Sequence, residues 1–120
     1  MKIAVTATGK TAESEVDQRF GRAKYFMVFD SEAKRYTAID NEINVNAMQG
    51  AGIQAGEIMS REGVQVLLTG HCGPKAFRTL QAAGITVVTG AAGTGEEAVQ
   101  RYLGGEFSEA GGPDVQGHWS

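Results

Sequence analysis

The sequence predicts a three-layer α/β domain in which a five-stranded mixed sheet has helices on both faces. Three observations predict it: a first apolar strand, an aromatic hairpin after it, and then an alternation of amphipathic helices and short apolar strands. Because consecutive hairpin strands pair and the later strands run parallel to the first, we expect strand order 3-2-1-4-5. A chain of 120 residues is one domain, long enough to bury roughly two thirds of its unfolded surface.

Apolar spacing and turn signals define each element in order. The first strand alternates Ile3 and Val5 with smaller residues, and a polar loop follows it. Thr94 and Glu97 form a capping box for the last helix, and glycines end all three helices. The expected strands are residues 2–7, 25–29, 35–40, 64–69 and 85–89, the expected helices are 48–62, 74–83 and 95–103, and the polar connections are 8–17 and 41–46.

Charge and cysteine content exclude several classes of protein. The net charge is −3, and the acids concentrate at the end, since residues 91–120 contain five Asp or Glu against one Arg; this argues against nucleic-acid binding. One cysteine excludes an intrachain disulfide. With neither a signal-peptide pattern nor an apolar stretch of transmembrane length, we expect a cytoplasmic protein without membrane association. The composition predicts a folded domain over 1–105 and a flexible acidic tail over 106–120.

The expected strand order places a topological switch point between strands one and four, where α/β proteins bind ligands. Two loops flank that crevice, residues 8–19 and residues 70–74. The second loop contains the only cysteine of the chain, Cys72, beside one of its two histidines, His71. The simpler alternative is a tight turn over a small buried thiol, because unpaired cysteines are often buried.

Cations gather in the same loops and at the start of the following helix. If the loops converge, they and the amino end of that helix form a setting for an anion. The alternative is an ordinary solvated surface, which is what Lys and Arg usually form. The cations are Lys10, Arg19, Arg22, Lys24, Lys75 and Arg78.

Several kinds of chemistry fit the residues less well. One Cys and two His cannot complete a tetrahedral zinc site. A thiolate could instead contact a preformed metal-sulfide cluster, with Met48 as a further soft group or as a cover for the crevice. Residues 8–11 resemble only part of a nucleotide phosphate-binding loop. Strands one and four contain no carboxylate, which argues against a two-metal nuclease. A reactive Cys72 thiol stays possible, although adjacent His71 is poorly placed as its base.

Three separated motifs in order resemble the dinitrogenase iron-molybdenum cofactor family over roughly residues 1–104. The motifs are Lys-Ile-Ala-Val at 2–5, Arg-Phe-Gly-Arg-Ala at 19–23, and Thr-Gly-His-Cys-Gly-Pro-Lys-Ala-Phe at 69–77 with Ala-Gly-Ile at 83–85. The resemblance implies a ribonuclease H-like fold and non-covalent binding of an anionic metal-sulfide cluster. That cluster would be a mixed molybdenum-copper sulfide or, alternatively, an iron-molybdenum cofactor or its precursor.

The family's binding loops correspond to residues 19–22 and 70–74 of this chain. Two features depart from the family pattern: Lys75 replaces a commonly polar neutral residue, and the acidic tail has no counterpart. The candidate metal contact is Cys72, and the candidate cofactor-binding residues are Lys10, Arg19, Phe20, Gly21, Arg22, Met48, Gly70, His71, Gly73, Pro74 and Lys75.

We therefore expect a non-enzymatic cytoplasmic carrier of a molybdenum-containing cluster, with a protein recipient or partner complex. Cys72 would be the soft contact, and Arg19, Arg22 and Lys75 would be the charge partners. Two alternatives stay open: a thiol-dependent enzyme that uses Cys72, and a regulatory protein-interaction domain.

Overall fold

A computed structural model describes residues 1–46 and 50–107 of the chain. It contains a five-stranded sheet in the order β3-β2-β1-β4-β5, which confirms the predicted topology. β1 pairs antiparallel with β2 and parallel with β4. The strands are β1 Lys2–Ala7, β2 Tyr25–Asp30, β3 Arg35–Asp40, β4 Val66–Leu68 and β5 Thr86–Val88, and the helices are α1 Glu42–Val45, α2 Ala51–Arg61, α3 Pro74–Ala82 and α4 Gly95–Leu103.

Helices cover both faces of the sheet, as the fold class predicts. Alternate side chains of β1 point to opposite faces, so Ala4 joins an apolar cluster with α2 and α3 while Ile3 and Val5 join a second cluster with α4. We call these the α2–α3 cluster and the α4 cluster. Because the central strand is buried on both faces, its residues from Ile3 to Ala7 are all inaccessible to solvent.

Two connections differ from the expectation of plain polar loops. Residues 41–46 include the short helix α1, whose first amide, that of Glu42, donates to Asp40 Oδ1 at 2.7 Å. Residues 8–17 are not wholly exposed, because Val16 is buried and its amide donates to Gly93 O at 2.8 Å. In both places, contacts that apolar periodicity does not reveal organise the chain.

The ends of the elements are close to the predicted ones. β4 and β5 are shorter than expected, although Thr69 continues their pairing by donating to Val88 O at 3.0 Å. The capping box is confirmed: the Glu97 amide donates to Thr94 Oγ1 at 3.1 Å and the Thr94 amide donates to Glu97 Oε1 at 2.9 Å. The hydrogen bond from the Thr94 amide to this carboxylate holds the pKa of the Glu97 carboxyl below its usual value.

The described part of the chain continues two residues past the predicted domain boundary. Phe107 packs on the α4 cluster, and the Arg101 guanidinium lies 4.8 Å from the centre of its ring. The rest of the expected tail, residues 108–120, lies outside the described residues. Within the described ranges, no helix combines the length and the apolar character that a bilayer crossing requires.

Candidate functional site

A pair of buried threonines anchors the chain at the switch point between β1 and β4. The hydroxyls of Thr6 and Thr69 are 2.9 Å apart, and both residues are fully buried. Thr6 Oγ1 also donates to Asp17 O at 2.7 Å. Since a carbonyl can only accept, the Thr6 proton goes to Asp17 and Thr69 donates to Thr6. This chain of hydrogen bonds ties the β1–β2 connection, residues 8–24, to the ends of the two central parallel strands.

The β1–β2 connection also pairs directly with the β4–α3 loop, residues 69–73. The His71 amide donates to Gln18 O at 2.8 Å, and the Phe20 amide donates to His71 O at 3.3 Å. Arg19 and His71 thereby form an isolated parallel bridge. Gly70 permits this approach, because a β-carbon there would lie 2.7 Å from Gln18 Cα. The structure thus brings together the two loops that the sequence places at the crevice.

The side chains of these loops point in two directions. Phe20 and Cys72 are fully buried in the α2–α3 cluster, and the Cys72 thiol is 3.8 Å from Gly73 O. His71 is half-buried, and Gly21 is buried. The thiol therefore lies beneath the loop rather than at its surface, which is the arrangement of the simpler alternative. A contact between Cys72 and a metal stays a prediction.

Three of the predicted cations border the joined loops. The Arg19 side chain is 46% exposed, and its Nε is 3.9 Å from Asp17 Oδ1. Arg22 is partly buried and donates from Nη1 to Val45 O at 3.2 Å. Lys75 is exposed in the first turn of α3. Their fixed positive charges favour an anion at this edge of the sheet.

Of the remaining predicted cations, Arg78 is exposed on α3, and Lys10 and Lys24 have neighbours outside the two loops. Lys10 Nζ is 5.6 Å from the centre of the Tyr25 ring, and Tyr25 packs on the α4 cluster, whereas Cys72 belongs to the other cluster. Desolvation, and then a hydrogen bond to Glu42, raise the pKa of Tyr25 above its usual value. Lys24 lines a cavity of about 260 Å³ beside α1, together with Val45, which accepts from Arg22.

The amino end of α3 opens at the β4–α3 loop. Gly73 precedes the helix in an extended conformation, and no described side chain caps it. Pro74 has no amide hydrogen, and the Phe77 amide donates to Gly73 O at 2.9 Å as the first intrahelical bond. The amides of the first turn and the helix dipole therefore add partial positive charge to the charge of Lys75.

The described residues do not form a closed metal site. Among them, no three His, Cys, Asp or Glu side chains gather in a metal-binding arrangement. Met48 and His118 lie outside the described residues. A metal bound here would have to bring most of its own ligands, as a metal-sulfide cluster does.

Sequence reasoning missed the buried polar residues that hold these loops in place. Asn41 donates from Nδ2 to Gly21 O at 3.2 Å and to Ala23 O at 2.8 Å, and Asn44 supports it. Thr6 and Thr69 play the corresponding role at the strand ends. Thr6, Asn41 and Asn44 lie outside the motifs, and the motif that begins at Thr69 does not reveal its burial, because threonine and asparagine at strand ends are equally typical of exposed turns.

Comparisons with known proteins agree with the motifs. The family model described as dinitrogenase iron-molybdenum cofactor matches residues 1–105. The apo form of the orange protein from Desulfovibrio gigas is 44% identical with a TM-score of 0.93, covering 95% of this chain and 96% of that one. An NMR structure of a Thermotoga protein, proposed to be a NifB protein of family DUF35, is 31% identical with a TM-score of 0.80, covering 90% and 91%.

One further relative matches over most of its length. An uncharacterised protein of Methanocaldococcus jannaschii is 26% identical over 112 residues, which are 91% of this chain and 91% of that protein. The family model spans nearly all the described residues, and the matched solved structures share the fold. The chain therefore belongs to the dinitrogenase iron-molybdenum cofactor family.

Proposed function

We propose that the chain binds an anionic, molybdenum-containing metal-sulfide cluster without covalent attachment and carries it through the cytoplasm to a recipient protein. The family and the similarity to the orange protein support a cofactor-binding protein rather than an enzyme. The molybdenum-copper sulfide implied by the resemblance is our first choice of cargo. An iron-molybdenum cofactor or its precursor is the alternative.

The observation that carries this proposal is the pairing of Arg19 with His71 at the amino end of α3. It joins a cation-bearing segment to a helix end that no described side chain caps, and Lys75 is exposed beside them. An anion gains from both features. A cluster whose sulfides already satisfy its metals needs this combination of charge and backbone amides more than it needs protein ligands.

The burial of Cys72 bears on both the carrier and the thiol-enzyme alternative. Its side chain is fully buried in the α2–α3 cluster, so a guest or substrate would reach the sulfur only if residues 70–74 moved outward. A catalytic thiol has to be accessible to its substrate and activated by a base. The buried position therefore disfavours the enzyme, while a carrier can hold its cargo by charge alone.

Reconstitution tests the proposal. The purified protein is mixed anaerobically with molybdate, copper(I) and sulfide, separated from small molecules by gel filtration, and analysed for visible absorption, metals and sulfide. We expect a coloured protein with a fixed molybdenum-to-protein ratio. Parallel mixtures without copper, or with iron in its place, distinguish the two kinds of cluster.

Matched variants locate the site. Arg19→Ala removes a cation of the crevice. Arg61→Ala is the control, because it removes an exposed cation at the carboxyl end of α2. The next residue, Glu62, accepts a hydrogen bond from Lys2 at the start of β1. We expect weaker loading only for Arg19→Ala. A colourless wild-type protein contradicts the proposed function, and equal loading of both variants contradicts the proposed site. A colourless protein with turnover would favour the thiol enzyme.

A further inference from the structure

The segment that contains Arg22 is held from below by one buried side chain. Asn41 is fully buried at the end of β3, and its Nδ2 donates to Gly21 O at 3.2 Å and to Ala23 O at 2.8 Å. These are the carbonyls on either side of Arg22. The Asn41 backbone amide also donates to Lys24 O at 2.8 Å. One residue therefore makes three hydrogen bonds to three of the four residues 21–24 of the β1–β2 connection.

A second buried amide determines which way the first one faces. Asn44 Nδ2 donates to Asn41 Oδ1 at 2.7 Å, and the Asn44 amide donates to Asn41 O at 2.9 Å. Because Asn41 Oδ1 accepts from Asn44, its Nδ2 must face the two carbonyls, which can only accept. Aspartate at position 41 has no hydrogen to give them, and alanine has no polar group.

The same short helix also contacts the far end of the Arg22 side chain. Val45, the residue after Asn44, accepts from Arg22 Nη1 at 3.2 Å. Residues 41–45 thus hold the backbone on both sides of Arg22, through Asn41, and bind its guanidinium, through Val45. The direction of a long, partly buried cation is otherwise free to vary among many rotamers, which costs binding free energy when a ligand must order it.

We propose that Asn41 is a positioning residue that sets Arg22 for the anionic metal-sulfide guest, and that Asn44 orients the Asn41 amide. The proposal rests on the proposed function and adds the way in which one charge of the site is held. It predicts that the contribution of Asn41 to affinity passes through Arg22. A residue that only stabilised the fold would act independently of Arg22.

A double-mutant cycle tests this dependence, with tetrathiomolybdate as the probe anion. We expect Asn41→Ala and Arg22→Ala each to weaken binding about ten-fold, which is the loss of one charge-assisted contact, and the double variant to bind no more weakly than Arg22→Ala. Additive losses, about a hundred-fold in the double variant, would overturn the proposal, as would wild-type affinity in Asn41→Ala. Val99→Ala, which truncates a fully buried side chain of α4, is the control for lost stability alone and should keep wild-type affinity.

Two further measurements keep the result decisive. Asn44→Ala leaves both Asn41 bonds to the loop carbonyls possible, so we expect a smaller loss of affinity than in Asn41→Ala. In the Arg22→Ala background, Asn44→Ala should cause no further loss. Asn44→Ala replaces Asn41→Ala in the cycle if the latter variant unfolds. In the protein without ligand, the Ala23 amide, which donates to Phe20 O at 3.4 Å, should exchange with solvent at least about ten-fold faster in Asn41→Ala or Asn44→Ala than in Val99→Ala. Equal exchange of the Ala23 amide would overturn the proposal, and this measurement needs no ligand. If tetrathiomolybdate does not bind the wild-type protein, that failure contradicts only the proposed function.

Discussion

Replacing Gly70 with alanine would push apart the two chain segments that form the site. The new β-carbon would lie 2.7 Å from Gln18 Cα, whereas ordinary contacts of this kind begin at 3.4 Å, so the main chain would have to move by about 0.7 Å. The end of the Gln18 side chain could rotate away, but its Cα cannot. The His71 amide, now 2.8 Å from Gln18 O, would then approach the limit of a hydrogen bond.

The expected cost follows from the steric clash and the hydrogen bonds at risk. Overpacking a close contact costs about 1 to 3 kcal/mol, and each backbone hydrogen bond contributes about 0.5 to 1.5 kcal/mol. The chain can relieve the clash only by breaking these hydrogen bonds, so it bears one cost or the other and not their sum. We therefore expect the free energy of unfolding to fall by about 1 to 3 kcal/mol. For a domain of this size that lowers Tm by roughly 4 to 12 °C.

Thermal unfolding and tetrathiomolybdate titration together check the Gly70→Ala prediction. We expect the lower Tm and, because the shift moves Arg19 out of its position against the β4–α3 loop, about ten-fold weaker binding. Gly104→Ala is the matched control, since a β-carbon there would lie 3.4 Å from the nearest atom and its φ is −81°. Wild-type Tm and affinity in Gly70→Ala would refute the claim that close approach of the two loops builds the site.

Three further predictions concern charge, sulfur and the chain end. The double variant Arg19→Ala, Arg22→Ala should weaken cluster binding and reduce its salt dependence, because exposed charges are screened over about 10 Å at 0.1 M salt. Titration at two ionic strengths measures how affinity depends on salt, and an unchanged dependence would assign both cations to the solvated surface. Cys72→Ser should lower the free energy of unfolding by about 1 to 3 kcal/mol, since it buries a hydroxyl among the apolar side chains of the α2–α3 cluster. It should also weaken binding of the metal-sulfide cluster or alter its spectrum, and an unaltered spectrum and affinity would remove Cys72 from the site. Ending the chain after Phe107 should keep Tm within a few degrees. Ending it after Gly105 should lower Tm further, because this also removes the Phe107 ring that packs on the α4 cluster. Equal Tm values for the two truncations would show that the packing of Phe107 contributes nothing to stability.

The sheet could be predicted because its strands differ in pattern from everything around them. Alternation in residues 2–7 and the aromatic run after Lys24 define strands that pair only one way once connections are kept short. The capping box at Thr94 places the start of α4 to the residue. These signals are local, and each one is read from fewer than ten neighbouring residues.

The direction of loop side chains could not be predicted in the same way. Cys72 and His71 are neighbours in sequence, yet the first is buried in the core and the second is half-exposed. Periodicity assigns faces only within helices and strands, and no such rule holds in a glycine-flanked turn. Asn41 was likewise assigned to a polar connection, because its burial depends on carbonyls 18 and 20 residues earlier in the chain.

The split between inward and outward residues explains how these loops can be held in place and still present cations to the proposed anionic guest. Phe20 and Cys72 fill the α2–α3 cluster from the two loops, so apolar burial holds each loop down at its centre. The residues next to them in sequence, Arg19 and His71, then form the bridge at the surface. A guest that contacts Cys72 would have to displace part of this packing. The surface that we propose for binding is therefore made of backbone and cations, which suits a guest that arrives with its own sulfides.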